Sequence, residues 1–192
     1  QFFRFIKNNY KNWINDIDAP LLSNNIFKEK VFPHLNNDKS TFMILIDNLR
    51  YDQWKVIQPL VQKYFTVIDD SLYSSILPTA TQYSRNSIFA GLHPSEIQKK
   101  YSDKWLNDED EGGKNIFEAE FLADNLQRLG KGSCKHSYTK ITNIDTGRKV
   151  VKIAPKREVD IGKGRMESFD PFAKDIEFNN LWLPFIYKIY FL

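Results

Sequence analysis

Apolar positions fall into blocks along the chain, and their spacing predicts the elements. Phe2, Phe3, Ile6, Tyr10, Trp13 and Ile14 recur near every third or fourth residue with Lys and Asn between them, so a helix is expected over residues 1–15. It starts without a capping residue, and its apolar face is expected to pack against helices that precede it. Asp18-Ala19-Pro20 is a breaker, Asn25 to Phe32 allows a short helix, and Pro33 to Ser40 is a polar connector. Phe42-Met43-Ile44-Leu45-Ile46 shows no alternation and is too short for a free-standing helix. It reads as a strand buried on both faces of a parallel sheet, stopping at Asp47. Helical spacing resumes through Trp54, Ile57, Val61, Tyr64 and Phe65, with a kink or split expected at Pro59. Thr66-Val67-Ile68 then reads as a strand that completes a strand, helix, strand step.

Further along, Pro78 and Gly91 bracket a helix over Gln82 to Ala90, and Ser95-Glu96 caps a short one. Tyr101 to Gly113 is an acidic loop. Asn115 to Leu129 carries the clearest helical stripe, with Phe117, Phe121, Leu122 and Leu126 on one side and Gly130 as its stop. His136 to Ile141 alternates like a strand, and Gly147 with Arg148-Lys149 turns into Val150-Val151. Lys152 to Lys163 is basic and glycine-punctuated. The terminal run from Leu181 to Leu192 is apolar but broken by Pro184 and Lys188, so it is too short to span a bilayer. Strands alternating with helices place the chain in the α/β class, with a mostly parallel sheet. No internal repeat is visible.

Composition narrows the picture only a little. With 192 residues of which 42% are hydrophobic, the chain can build one ordinary globular domain. Its 27 basic and 24 acidic residues nearly balance, so charge alone argues neither for nucleic acid nor for an anionic membrane. The single cysteine, Cys134, excludes an internal disulfide and fits a reducing, cytoplasmic setting. The chain opens on Gln1 without a basic leader or cleavage site, and is expected to be a fragment of a longer protein.

Two positions carry candidate chemistry. Asp47 leaves the carboxyl end of the expected buried strand, where open α/β sheets bind ligands. Thr81 falls where a helix N-cap hydroxyl is expected, and the positive end of a helix favours an alkoxide or a phosphate. Together they resemble a metal ligand and a metal-bound nucleophile. Each also has a plainer reading, Asp47 as a cap on the next helix and Thr81 as a simple N-cap, and Thr79 is the rival nucleophile. Asn48 is placed to orient Asp47 or touch phosphate. Arg85, one turn beyond Thr81, is placed to touch phosphate or to be a surface arginine. Asp52 reads as a first-turn helix acid, Asp69-Asp70 as a solvated strand end and His93 as structural. The run Asp108-Glu109-Asp110-Glu111 lacks the alternating spacing of a calcium loop and reads as solvated. A haloacid-dehalogenase phosphatase would need a second aspartate where Leu49 stands, and the order of acids does not suit a receiver domain.

The strings "DNLRYDQW" and "LPTATQYSRNSIFAGLHPSEI", in the block from Phe42 to about Asn143, resemble the PglZ domain of the alkaline phosphatase superfamily. The likeness is to the effector domain of PorX-type response regulators of bacteria with type IX secretion. This resemblance implies a three-layer α/β sandwich with a mostly parallel central sheet, incomplete at its C-terminal side. Residues 1–38 would be the end of a helical linker and a connector, 39–150 the N-terminal half of the core, and 151–192 a divergent tail. It implies a phosphodiesterase with two zinc ions, Asp47 as a metal ligand and Thr81 as metal-bound nucleophile, acting on oligonucleotides or nucleotides. The family's later aspartate and histidine ligands do not follow in this chain, so the chain alone is expected to bind metal weakly. An inactive module of the same fold, working through partner contacts, is the competing expectation. For the full-length protein the resemblance implies a two-component system with a sensor kinase, secretion-system or sigma-factor partners, and a homodimer as one option.

Overall fold

The structure, a computed structural model, describes residues 1–35, 41–47 and 49–153, the side chains of 150–153 excepted. Among the described residues the regular elements are helical. They are α1 (Phe2–Trp13), α2 (Tyr51–Val61), α3 (Thr81–Ala90), α4 (Pro94–Lys100), α5 (Glu118–Arg128) and α6 (Ile144–Ile153), with tight helical turns at Ser23–Asn25, Phe27–Val31 and Phe32–His34. The chain divides into two compact units, Gln1–Asn37 with Asp69–Lys135, and Asp38–Ile68 with His136–Leu192.

The first unit is built around α3. Eight of its ten residues are buried, from Gln82 to Ala90 with Tyr83 excepted, so the helix has cover on nearly every side. Ile88, Phe89, Ile97, Phe121, Leu122 and Leu126 form the apolar core where α3 meets α4 and α5. Full burial of each such side chain is worth roughly 1.5–3 kcal/mol. Several polar residues of α3 find partners as they are buried, although Ser87 Oγ and Asn86 Oδ1 do not. Ser84 Oγ lies 2.7 Å from Ser75 Oγ and 3.2 Å from Ser23 Oγ, and Ser23 Oγ accepts from the Ile76 N–H at 3.1 Å. Helix α3 stops at Gly91 in the left-handed region (φ 59°), as its sequence predicts. The α5 helix also appears as expected and ends before Gly130 (φ 75°), although it begins at Glu118 rather than Asn115. Asn115 instead turns its side chain back onto Glu118.

The expected helix at the start forms as α1, and none of its residues is buried. Phe2, Phe3 and Phe5 remain exposed, while Phe5 and Tyr10 each meet the Trp13 ring edge-on. In the second unit, Pro59 does not split α2. It sits in the last turn, where its missing N–H forfeits one intrahelical bond only. The turn expected at Gly147 is instead the middle of α6, started by Asn143, whose Oδ1 accepts the Thr146 N–H at 2.8 Å.

The mostly parallel central sheet does not form among the described residues. The runs 42–46, 66–68 and 136–141 are irregular, and the isolated parallel bridge among the described residues lies outside them, between Leu22 and Ser74. A strand exists only through a neighbour that completes its ladder, and Phe42 and Ile44 stand more than half exposed. Among the described residues no helix is long and apolar enough to cross a membrane. The terminal run from Leu181 to Leu192 lies outside the described residues.

Candidate functional site at the amino end of α3

Pro78 precedes α3, and Ala80 occupies the N-cap position in extended conformation, with no side chain closing the helix end. Thr81 is therefore the first helical residue, one position inside the expected N-cap, because the extended backbone ends at Ala80 rather than at the threonine. The Ala80 carbonyl accepts from both the Tyr83 N–H (3.1 Å) and the Ser84 N–H (3.0 Å). A first turn that is not capped by a side chain presents N–H groups and the positive end of the helix, which favour an anion. Thr81 is half-buried there, and Thr79 is exposed two residues earlier.

Next to Thr81, the Gln82 side chain is 5% exposed and its Nε2 donates to Asp108 Oδ1. The Tyr83 hydroxyl donates to Asp108 Oδ2 at 3.3 Å, and the Tyr83 ring lies 5.8 Å from the Trp105 ring. The acidic loop is thus folded onto the start of α3 rather than fully solvated. Its shape is fixed locally, with the Asn107 N–H donating to Asp110 Oδ2 at 2.6 Å and Lys114 Nζ donating to the Asn107 and Asp110 carbonyls. Sequence reasoning missed the link between Gln82, Tyr83 and Asp108, because pairs some 25 residues apart leave no local periodicity.

Arg85 is buried, not at the surface. Its Nη2 lies 2.7 Å from Glu118 Oε1 and 2.8 Å from Oε2, and Asn115 Nδ2 donates to Oε1 at 2.8 Å. The pair is almost fully removed from solvent, at 5% and 0% side-chain exposure. Its neighbour Asn86 donates to the Lys114 carbonyl at 3.1 Å. Arg85 therefore ties α3 to α5 with its charge matched by Glu118.

Asp47 is half-buried in a turn that ends the 41–46 run, and it belongs to the second unit, whereas Thr81 belongs to the first. Asn48 lies outside the described residues. Asp52 is a first-turn acid, as expected. Arg50 binds it with Nε at 3.0 Å and Nη2 at 2.8 Å, and the hydrogen bond from Arg50 holds its carboxyl below the usual range. His93 caps α4, its N–H donating to Glu96 Oε2 at 2.7 Å, so the cap falls two residues before Ser95. Asp69 is held by Lys30 at 2.7 Å and Ser71 at 3.0 Å, and the Lys30 bond lowers its pKa most.

Comparison with known families places these stretches in one match. The family described as the BREX system PglZ alkaline phosphatase-like domain matches residues 26–155, a span that holds Asp47, Thr81 and Asp108. No curated protein matches the chain. Alkaline phosphatase-like proteins generally use metal ions, but among the described residues no group of three or more His, Cys, Asp or Glu side chains could hold one. The described donors do not make a closed metal site by themselves.

Proposed function

The chain belongs to the PglZ family of alkaline phosphatase-like domains, and from that premise we propose that it is part of a phosphodiesterase-type domain in which Thr81 is the nucleophile. The observation that carries this reading is a threonine opening a ten-residue helix whose first turn no side chain caps, inside the matched span. Thr81 Oγ would attack the phosphorus of a phosphodiester, forming a P–O bond as the bond to the leaving alkoxide breaks. Water would then cleave the phosphothreonine and return the hydroxyl. The Thr81 and Gln82 N–H groups that open the helix are suited to the charge on the phosphoryl oxygens.

In this reading residues 39–150 belong to a three-layer α/β core whose sheet is completed by further strands, and Asp47 serves as a metal ligand. The expected cofactor, two zinc ions, needs ligands beyond Asp47 and Thr81. Asn48 is assigned to the phosphate or to Asp47, and Thr79 is the reserve nucleophile. Oligonucleotides or nucleotides are the substrate class. The setting is a PorX-type response regulator in the cytoplasm, with a sensor kinase and secretion-system or sigma-factor partners, and self-association as a dimer is compatible with it. A direct role for Arg85 at phosphate would require it to leave Glu118.

A second reading has its own support. The Arg85 charge is matched by Glu118 rather than held open for phosphate, which suits a module of the same fold that binds a partner without turnover. The two readings separate on one experiment. In the full-length protein supplied with zinc, Thr81→Val is expected to lower phosphodiester hydrolysis at least about a hundredfold, with unchanged circular dichroism. Undiminished hydrolysis removes the nucleophile assignment, and no hydrolysis by the parent protein favours the inactive module.

A further inference from the structure

We propose that the Gln82 amide and the Tyr83 hydroxyl form a seat for a phosphoryl group beside Thr81, and that Asp108 fills this seat until an anionic substrate displaces it. The proposal deepens the reading of Thr81 given above and rests on it for the identity of the substrate. Its own ground is geometric. One carboxylate takes a donor on each oxygen, Gln82 Nε2 on Oδ1 and the Tyr83 hydroxyl on Oδ2. Two donors spaced to meet two oxygens of one planar anion also meet two oxygens of a phosphoryl group. The Gln82 donor is held in place by burial, since the residue is 5% exposed and its amide meets this anion. Both donors sit in the first turn of α3, directly after the candidate nucleophile, where the helix end adds to the attraction.

The loop that delivers Asp108 is exposed and acidic, with Glu109, Asp110 and Glu111 following. It behaves as a strap with a defined shape, because Lys114 holds the Asn107 and Asp110 carbonyls and Trp105 donates to Asn107 Oδ1 at 3.1 Å. The strap also holds α3 through the Trp105 ring against Tyr83 and through the Lys114 carbonyl, which accepts from Asn86 at 3.1 Å. A tethered carboxylate competes at an effective concentration in the millimolar range, and apparent affinity for a free anion falls by the fraction of molecules in which the seat is open.

The test measures binding of inorganic phosphate to the chain by calorimetry, so it does not depend on turnover. Asp108→Ala is expected to bind phosphate at least about tenfold more tightly than the parent. Adding Tyr83→Phe or Gln82→Leu to Asp108→Ala is expected to cancel the gain. Equal or weaker binding by Asp108→Ala, with helix content retained, overturns the proposal. If Asp108→Ala does not fold, Asp108→Asn, which keeps the shape and loses the charge, is expected to show a smaller gain, and no gain overturns the proposal equally. Thr81→Val separates the two ideas, because it is expected to leave phosphate binding unchanged while removing hydrolysis. A phosphate gain in Asp108→Ala with hydrolysis intact in Thr81→Val keeps the seat and removes the nucleophile. The opposite pair of results removes the seat alone.

Discussion

At the scale of single residues, the structure turns on where charge is matched. Asp124 on α5 receives the Tyr101 hydroxyl, Arg128 Nε at 2.9 Å and Lys100 Nζ at 3.0 Å. Burial pushes its carboxyl up, but hydrogen bonds from Tyr101, Arg128 and Lys100 outweigh burial and hold it down at about 2. The folded pKa lies below the ordinary value of 3.8, so the stabilisation is fully present above that value and is lost as pH falls towards about 2. With the side chain 31% exposed, solvent screening leaves roughly 1–2 kcal/mol. Urea unfolding should show the parent chain losing this margin over Asp124→Asn between about pH 4 and pH 2, the two converging at the lower end. Parallel pH profiles would remove the role of Asp124. Arg85 makes the same point for legibility. Its position one turn from Thr81 was visible in the sequence, but its partner Glu118 comes from α5, 33 residues away, and no spacing rule announces such a pair.

At the scale of elements, apolar periodicity and stop signals were the readable part. The helices α1, α3 and α5 stand where the stripes and glycine stops put them, because a helix is decided largely by its own residues and the face it buries. The runs 42–46, 66–68 and 136–141 carry apolar or alternating patterns that suit strands, yet a strand depends on partners elsewhere in the chain, and among the described residues they lack a ladder. Helix α6 is hidden in the sequence by Gly147, which suggests a turn, although Asn143 caps the helix through the Thr146 N–H. The stop of α3 can be tested against that of α5. A Cβ added at Gly91 would lie 2.6 Å from Asn125 Oδ1, and Asn125 is 2% exposed and bonded to the Phe89 carbonyl at 3.0 Å, so it has little room to yield. At Gly130 a Cβ would meet nothing within 4 Å. Gly130→Ala should therefore cost only the left-handed backbone term, about 1 kcal/mol, and Gly91→Ala about 2–3 kcal/mol. Equal losses of unfolding free energy in the two variants would show that Asn125 does not constrain the α3 stop.

At the scale of the whole molecule, family membership and the placement of the core bear on different halves of the argument. The family was legible from the strings around Asp47 and Thr81, which lie inside the matched span, whereas the reason α3 holds so many polar residues was not, since it lies in partners distant in sequence: Ser23, Ser75, Asp108 and Lys114 of one loop, and Glu118. A helix covered by apolar neighbours and anchored by such bonds should open only with its whole unit, while helices without a buried residue open locally. Native-state hydrogen exchange is expected to separate them. Amides of α3 from Arg85 to Ala90 should exchange slowest and track global unfolding in urea, whereas those of α1 and α2, neither of which buries a residue, should exchange at least about a hundredfold faster and show little denaturant dependence. If α1 amides, in the same unit, proved as protected as those of α3, the organisation of the first unit around α3 would be wrong. The proposed strap on Gln82 and Tyr83 would then rest on an element that is not the rigid one.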